Sequence, residues 1–141
     1  MKFEKLTIDN IHHFLPQLIV IELEHSLPII WGVSEFTCYL EEKWALSSVV
    51  LAENLVVGYA MISKKTPFCA HIHRFMVRKQ LQSRGVGKEF MAFLKSAMSE
   101  KYDFLTLNVG LENIRAKKFY IQNGFKDITA NEAGSLMLSI L

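Results

Sequence analysis

The residues best suited to chemistry begin with Gln82-Ser83-Arg84-Gly85-Val86-Gly87-Lys88. They follow an apolar, strand-like segment, Ile72 to Val77, and open a run with helical spacing through Val86, Phe90, Phe93, Leu94, Ala97 and Met98. A strand, a glycine turn and a helix N-terminus together make an anion cradle. The first N–H groups of a helix lack partners inside it, and the helix dipole adds partial positive charge there. Gly85 and Gly87 let the main chain approach a bulky anion without a Cβ in the way, while Arg84 and Lys88 add full charges. The expected ligand is a pyrophosphate.

Two familiar glycine loops fail on spacing. A P-loop needs glycine where Gln82 stands and Ser or Thr where Glu89 stands, and a dinucleotide fingerprint starting at Gly85 needs glycine or alanine in place of Phe90. The pattern that fits is Q-x-x-G-x-G, read as Gln82, Gly85 and Gly87. A second pattern lies further on: Asn113, Ala116, Phe119, Tyr120, Gly124 and Phe125, in the form N-x-x-A-x-x-F-Y-x-x-x-G-F. Taken singly these residues have plain structural roles, Asn113 as a helix cap, Phe119 as core and Gly124 as a helix stop. Together, in this order and each after a strand, the two patterns resemble the GCN5-related N-acetyltransferase superfamily.

That resemblance implies acetyl-CoA as acyl donor and direct transfer to an amine. It carries cofactor contacts onto Phe75, Met76 and Val77, onto Gln82, Ser83, Arg84, Gly85, Val86, Gly87 and Lys88, and onto Asn108, Asn113 and Tyr120. A main-chain N–H of the fourth strand, at Met76 or Val77, is implied as the oxyanion donor, and Tyr120 as general acid for the departing thiolate. The glutamate that many relatives carry as base is replaced by His71, and the alternative fifth-strand glutamate by Asn108. Asparagine cannot take a proton. An imidazole can, so His71, or His73 beside it, is the expected proton relay. Cys69, His71 and His73 alternate at metal-ligand spacing, but no fourth ligand is indicated and no metal is assigned.

The elements that must position these residues are legible in outline. Lys2 to Ile8 reads as a strand, and Asp9 as the cap of a helix reaching His25, with Ile11, Phe14, Leu15, Leu18, Ile19 and Leu23 apolar and Pro16 awkwardly inside it. Ser34 reads as the cap of a second helix, Glu35 to Trp44, after the apolar connection Pro28 to Gly32. Ser47 to Ala52 and Leu55 to Ser63 flank a tight turn at Glu53-Asn54. Cys69 to Val77 feeds the glycine loop, and the helix after it extends from Gly85 to about Glu100. Phe104 to Val109 is the next strand, followed by a helix from Asn113 to Asn123-Gly124. Phe125 to Thr129 and Ser135 to Ile140 close the chain. The expectation is one domain over residues 1–141, an α/β fold of three layers. Its mixed, mostly antiparallel central sheet has about six to seven strands and helices on both faces.

Composition narrows the function class. With 141 residues, half of them hydrophobic and 21% charged, the chain can bury a substantial core. A net charge of +2 with no dense Lys/Arg block argues against nucleic acid as partner. Two cysteines make no disulfide framework, the start lacks a signal-peptide core, and no apolar run is long enough for a membrane span. A cytoplasmic monomer or homodimer is expected, acting on a small-molecule amine or a peptide N-terminus. The competing reading is an acyl-CoA-binding sensor that does not catalyse, suggested by the missing glutamate at both usual base positions.

Overall fold

The computed structural model describes residues 1–141. In chain order the elements are β1 (Lys2–Lys5), α1 (Ile11–Glu24), α2 (Val33–Thr37), α3 (Lys43–Leu46), β2 (Ser48–Ala52), β3 (Leu55–Thr66), β4 (Cys69–Val77), α4 (Val86–Met98), β5 (Phe104–Gly110), α5 (Ile114–Gln122), β6 (Lys126–Asn131) and β7 (Gly134–Ile140). A short 3₁₀ turn, Lys79–Leu81, lies between β4 and α4. Seven strands form one sheet in the order β1-β2-β3-β4-β5-β7-β6, and only the β4–β5 pair is parallel. The three-layer α/β expectation holds. One core lies under α4 and α5, built on Phe90, Leu94, Leu105, Leu107 and Phe125. The other lies under α1 and α2, built on Leu15, Leu18, Phe36, Tyr59 and Met61.

The β2–β3 turn forms as read, with Glu53 and Asn54 both at positive φ (51° and 66°), the pair of left-handed residues that a two-residue hairpin needs. The N-terminal third departs from expectation in three places. The cap of α1 is Asn10 rather than Asp9, and its side chain turns back to bond Thr7 N (2.7 Å) while Thr7 Oγ1 takes Asn10 N. On α1 the buried stripe includes Ile21 and Glu22, whereas Leu23 is exposed. A continuous helix from Glu35 to Trp44 does not form: α2 ends at Thr37 and α3 starts at Lys43, with Gly32 rather than Ser34 capping α2. The break has a cause. The Lys43 ammonium is buried and donates to the Glu35 and Cys38 carbonyls, closing off the end of α2, while Glu42 takes a left-handed turn (φ 59°). Elsewhere boundaries move by only a few residues.

Two irregularities at the centre of the sheet shape the space beside β4. The β3–β4 ladder passes from Met61↔Arg74 to Ile62↔Ile72, leaving His73 as the extra residue of a bulge. The β4–β5 ladder stops at Ile72↔Leu107, although β4 continues to Val77 and β5 to Gly110. Beyond that point the two strands part and open a cleft in the sheet.

Candidate active site

The open edge of β4 offers unpaired main-chain groups. Arg78 N donates to Val57 O, so the strand's ladder to β3 runs through Arg78 and Met76. Alternation then turns the Phe75 and Val77 N–H groups towards the cleft. Of the two residues considered for an oxyanion donor, Val77 lies on the open side and Met76 on the β3 side. The Val77 carbonyl accepts from His25 Nε2 at 3.1 Å.

The glycine loop sits at the mouth of this cleft. Ser83 (φ 67°) and Gly85 (φ 86°) are left-handed, and Gly85 is the N-cap of α4. None of the six N–H groups from Ser83 to Lys88 donates to another group of the protein. A consecutive run of outward amide donors at a helix N-terminus, flanked by Arg84 and Lys88, fits the diphosphate of a coenzyme A. Gly87 is there for a packing reason: a Cβ would stand 3.0 Å from Phe119 Cε1. The two sequence patterns therefore touch. They meet again where Arg115 Nη2 donates to Ser83 Oγ at 3.0 Å, which adds a cation to the cradle that sequence reading did not assign. Gln82, half-buried, ends the 3₁₀ turn before the loop.

Tyr120 projects from α5 into a row of rings. Its neighbours are Phe75 (6.4 Å between centroids), Phe119 (5.5 Å) and Phe125 (5.7 Å), all edge-on, and Phe75 in turn stacks on Phe90 and Phe119. This packing fixes the phenol beside the open stretch of β4. Burial pushes its pKa up to about 12, so it is fully protonated at neutral pH. Asn113 is the α5 cap, its Oδ1 accepting from Ala116 N at 3.2 Å.

On the opposite face of the sheet, where the strands part, lies a polar cavity of about 320 Å³ lined by Ser63, Lys64, Lys65, His71, His73 and Asn108. His71 Nδ1 is 2.7 Å from Thr106 Oγ1, and His73 Nε2 is 2.7 Å from Ser63 Oγ. Burial, then His73 and Lys65, depress the His71 pKa to about 4; burial and Lys43 also lower that of His73. Both rings are neutral at pH 7 and each keeps one ring nitrogen free. Cys69 Sγ lies 3.6 Å from Thr106 Oγ1, and no cluster of three His, Cys, Asp or Glu side chains is placed to hold a metal ion.

Beside this cavity is a buried ionic network that the sequence reading missed. Glu22, 0% exposed on α1, accepts from the Tyr59 hydroxyl, from Trp31 N (2.8 Å) and from Arg74 Nη2 (3.3 Å). Arg74 also donates to the Ile29 carbonyl and lies over the Trp31 ring at 5.0 Å. Burial, and then the bond to Glu22, hold the Tyr59 hydroxyl protonated, well above the usual phenol range. The apolar connection at Pro28 to Gly32 is thereby pinned to β4. The one available signal was position: Glu22 continues the apolar stripe of Ile11, Leu15 and Leu18.

A family model described as Acetyltransferase (GNAT) family matches residues 17–125. Comparison with curated proteins gives no sequence match. Among solved structures, the chain is similar to the ribosomal-protein-S18-alanine N-acetyltransferase of Escherichia coli (TM-score 0.80, 17% identity, covering 99% of this chain and 92% of that one). It is also similar to Naa50 of Arabidopsis thaliana in complex with the bisubstrate analogue CoA-Ac-MVNAL (0.77, 15%, 98% and 97%). A third similar structure is the PaiA N-acetyltransferase of Thermoplasma acidophilum in complex with coenzyme A (0.73, 15%, 99% and 98%). At these identities the structures speak to the fold. The family match, spanning most of the chain and both patterns, decides the rest: this chain belongs to the acetyltransferase (GNAT) family and is an acyltransferase whose donor is acetyl-CoA.

Proposed function

We propose that the protein transfers an acetyl group directly to a primary amine of a small molecule or a protein N-terminus, with Tyr120 as general acid. The observation that carries this reading is the run of six undonated N–H groups, Ser83 to Lys88, opening onto the cleft beside Tyr120. The neighbour named for an alanine of a ribosomal protein, and the one holding a peptide-bearing bisubstrate analogue, favour an N-terminal amine among the candidates. A cytoplasmic setting, a single domain over residues 1–141 and a monomer or homodimer belong to the same reading. No helix is long and apolar enough to cross a membrane.

Bound acetyl-CoA would supply an activated thioester. This chain's residues do the rest. The loop amides with Arg84, Lys88 and Arg115 hold the diphosphate. Val77 N–H faces the cleft as the donor for developing negative charge, a contribution on the order of 3 kcal/mol in other acyl-transfer sites. At pH 7 an alkylamine of pKa ~10.4 is neutral in only about one molecule in a few thousand and an N-terminal amine of pKa ~8 in about one in ten, and either sheds a proton on forming the amide. A proton acceptor is therefore needed, and the neutral His71 and His73 are the relay, directly or through water.

Tyr120 is a special acid. Full transfer from a phenol at about 12 to a thiolate whose acid lies near 8.5 is uphill by about 5 kcal/mol. As general acid it donates a hydrogen bond to the leaving sulfur that becomes proton transfer as the carbon–sulfur bond breaks. Thiol release from acetyl-CoA with a panel of amines tests the reading. Tyr120→Phe should lower kcat by about a hundredfold with cofactor affinity retained, within the usual range for a general acid. An unchanged kcat removes Tyr120 from the mechanism, and calorimetry that finds no affinity for coenzyme A sinks the whole proposal.

A further inference from the structure

The cavity of Ser63, Lys64, Lys65, His71, His73 and Asn108 has the chemistry of an anion site as well as a proton relay. No acidic side chain lines it. Lys64 is already engaged by Glu41 Oε1 (3.5 Å) and Glu42 Oε2 (3.9 Å), whereas Lys65 takes part in no ion pair. The Asn108 amide has no hydrogen-bond partner in the protein and is exposed to the cavity. The histidines spend one ring nitrogen each on hydroxyls, leaving the other of each ring free. An uncommitted ammonium and a free amide, with no carboxylate to answer them, converge beside the point where β4 and β5 part.

We propose that this cavity selects the acceptor: it receives a carboxylate carried close to the amine that is acetylated, with Lys65 as its counter-charge and Asn108 as a hydrogen-bond donor. The proposal rests on the transferase reading above and names its substrate class. A polycationic acceptor would meet Lys64 and Lys65 with nothing to pair its own charges. An acid-bearing amine meets a counter-ion, and it also changes the histidines. Burial and the neighbouring positive groups keep both imidazoles poor bases. A carboxylate placed among them reverses the electrostatic part and moves the rings towards the pH at which they accept a proton. The right acceptor thus improves its own relay.

Matched acceptors that differ only in charge give the test: glutamate α-amide against glutaminamide, and tetrapeptide amides beginning with Glu against those beginning with Gln. The first pair reports a small acid, the second a protein N-terminus. In at least one pair the acid should be used with kcat/KM about tenfold higher or more, mainly through KM. The advantage should shrink with added salt, and the pH profile of the acid should be displaced from that of the amide. Lys65→Gln should pull the ratio towards one and Lys65→Arg should preserve it. Equal use of acid and amide in both pairs, or a ratio indifferent to Lys65→Gln, overturns the proposal. If no amine is turned over, the transferase reading falls on its own. Calorimetric titration with N-acetylglutamate α-amide and N-acetylglutaminamide then decides the site, since absence of a preference for the acid removes it.

Discussion

The two faces of the sheet solve recognition by different means. On the α4–α5 face the main chain offers itself to the proposed cofactor: six amides from Ser83 to Lys88 that donate to no group of the protein, and the open edge of β4 at Phe75 and Val77. On the α1–α2 face the proposed acceptor would be met by side chains, Ser63 and Lys65 with His71 and Asn108, beside a frame that buried Glu22 ties together through Trp31 and Arg74. Main-chain recognition needs only glycines at fixed offsets and a strand that ends at the right place, so one short pattern specifies it. Side-chain recognition can be built many ways on the same frame, which suits the half of the site that must fit a particular acceptor.

The sharpest way to break this comparison is to remove the group that holds the acceptor half together. Glu22→Ala leaves Arg74 half-buried without its carboxylate, and strips the Tyr59 hydroxyl and Trp31 N of their acceptor. Removing one partner of a buried pair costs roughly 3–5 kcal/mol. For a chain of this size that is a Tm lower by about 10 °C or more, read by thermal denaturation. Glu22→Gln, which keeps an acceptor oxygen, should recover a good part of it. A Glu22→Ala protein with an unchanged Tm would mean that the Pro28 to Gly32 connection is held by packing alone.

The same contrast explains how much of the molecule was visible in advance. The hairpin at Glu53-Asn54, the Asn113 cap and the glycine loop were legible because each depends on local backbone chemistry. The α2–α3 break was not, because it is made by Lys43 reaching back to carbonyls of Glu35 and Cys38, and a lysine in a helical run gives no warning of that. Glu22 was hidden for a similar reason. Its three donors come from Trp31, Tyr59 and Arg74, so the burial of a carboxylate on an apolar stripe makes sense only once the sheet has formed. His71 and His73 were found by position, but the cavity they share with Lys65 depends on the bulge at His73 and the parting of β4 from β5.

A second test uses pH to probe the acceptor half. His71 is held near 4 in the folded protein against ~6.5 when unfolded. Between those values the unfolded chain binds more protons, so acidification favours unfolding. The stability tied to a neutral His71 is intact above about pH 6.5 and is lost progressively towards pH 4. His71→Gln should give a visibly shallower fall of Tm over that window, while changing little at pH 7.5. An identical slope in variant and parent would place the ring in a more hydrated setting than its Thr106 contact and burial indicate.

The mildest perturbation addresses the cofactor half, and there the expectation reverses. Arg115 is exposed and touches the loop only through Ser83 Oγ, so Arg115→Ala should leave Tm nearly unmoved. If main-chain amides carry most of the grip, its loss should weaken coenzyme A binding only about fivefold, near 1 kcal/mol, and the deficit should shrink as salt screens the remaining charge. Isothermal titration at low and high ionic strength measures both quantities. A loss of a hundredfold would show that side-chain charge governs this half too, and the division of labour between the two faces of the sheet would no longer stand.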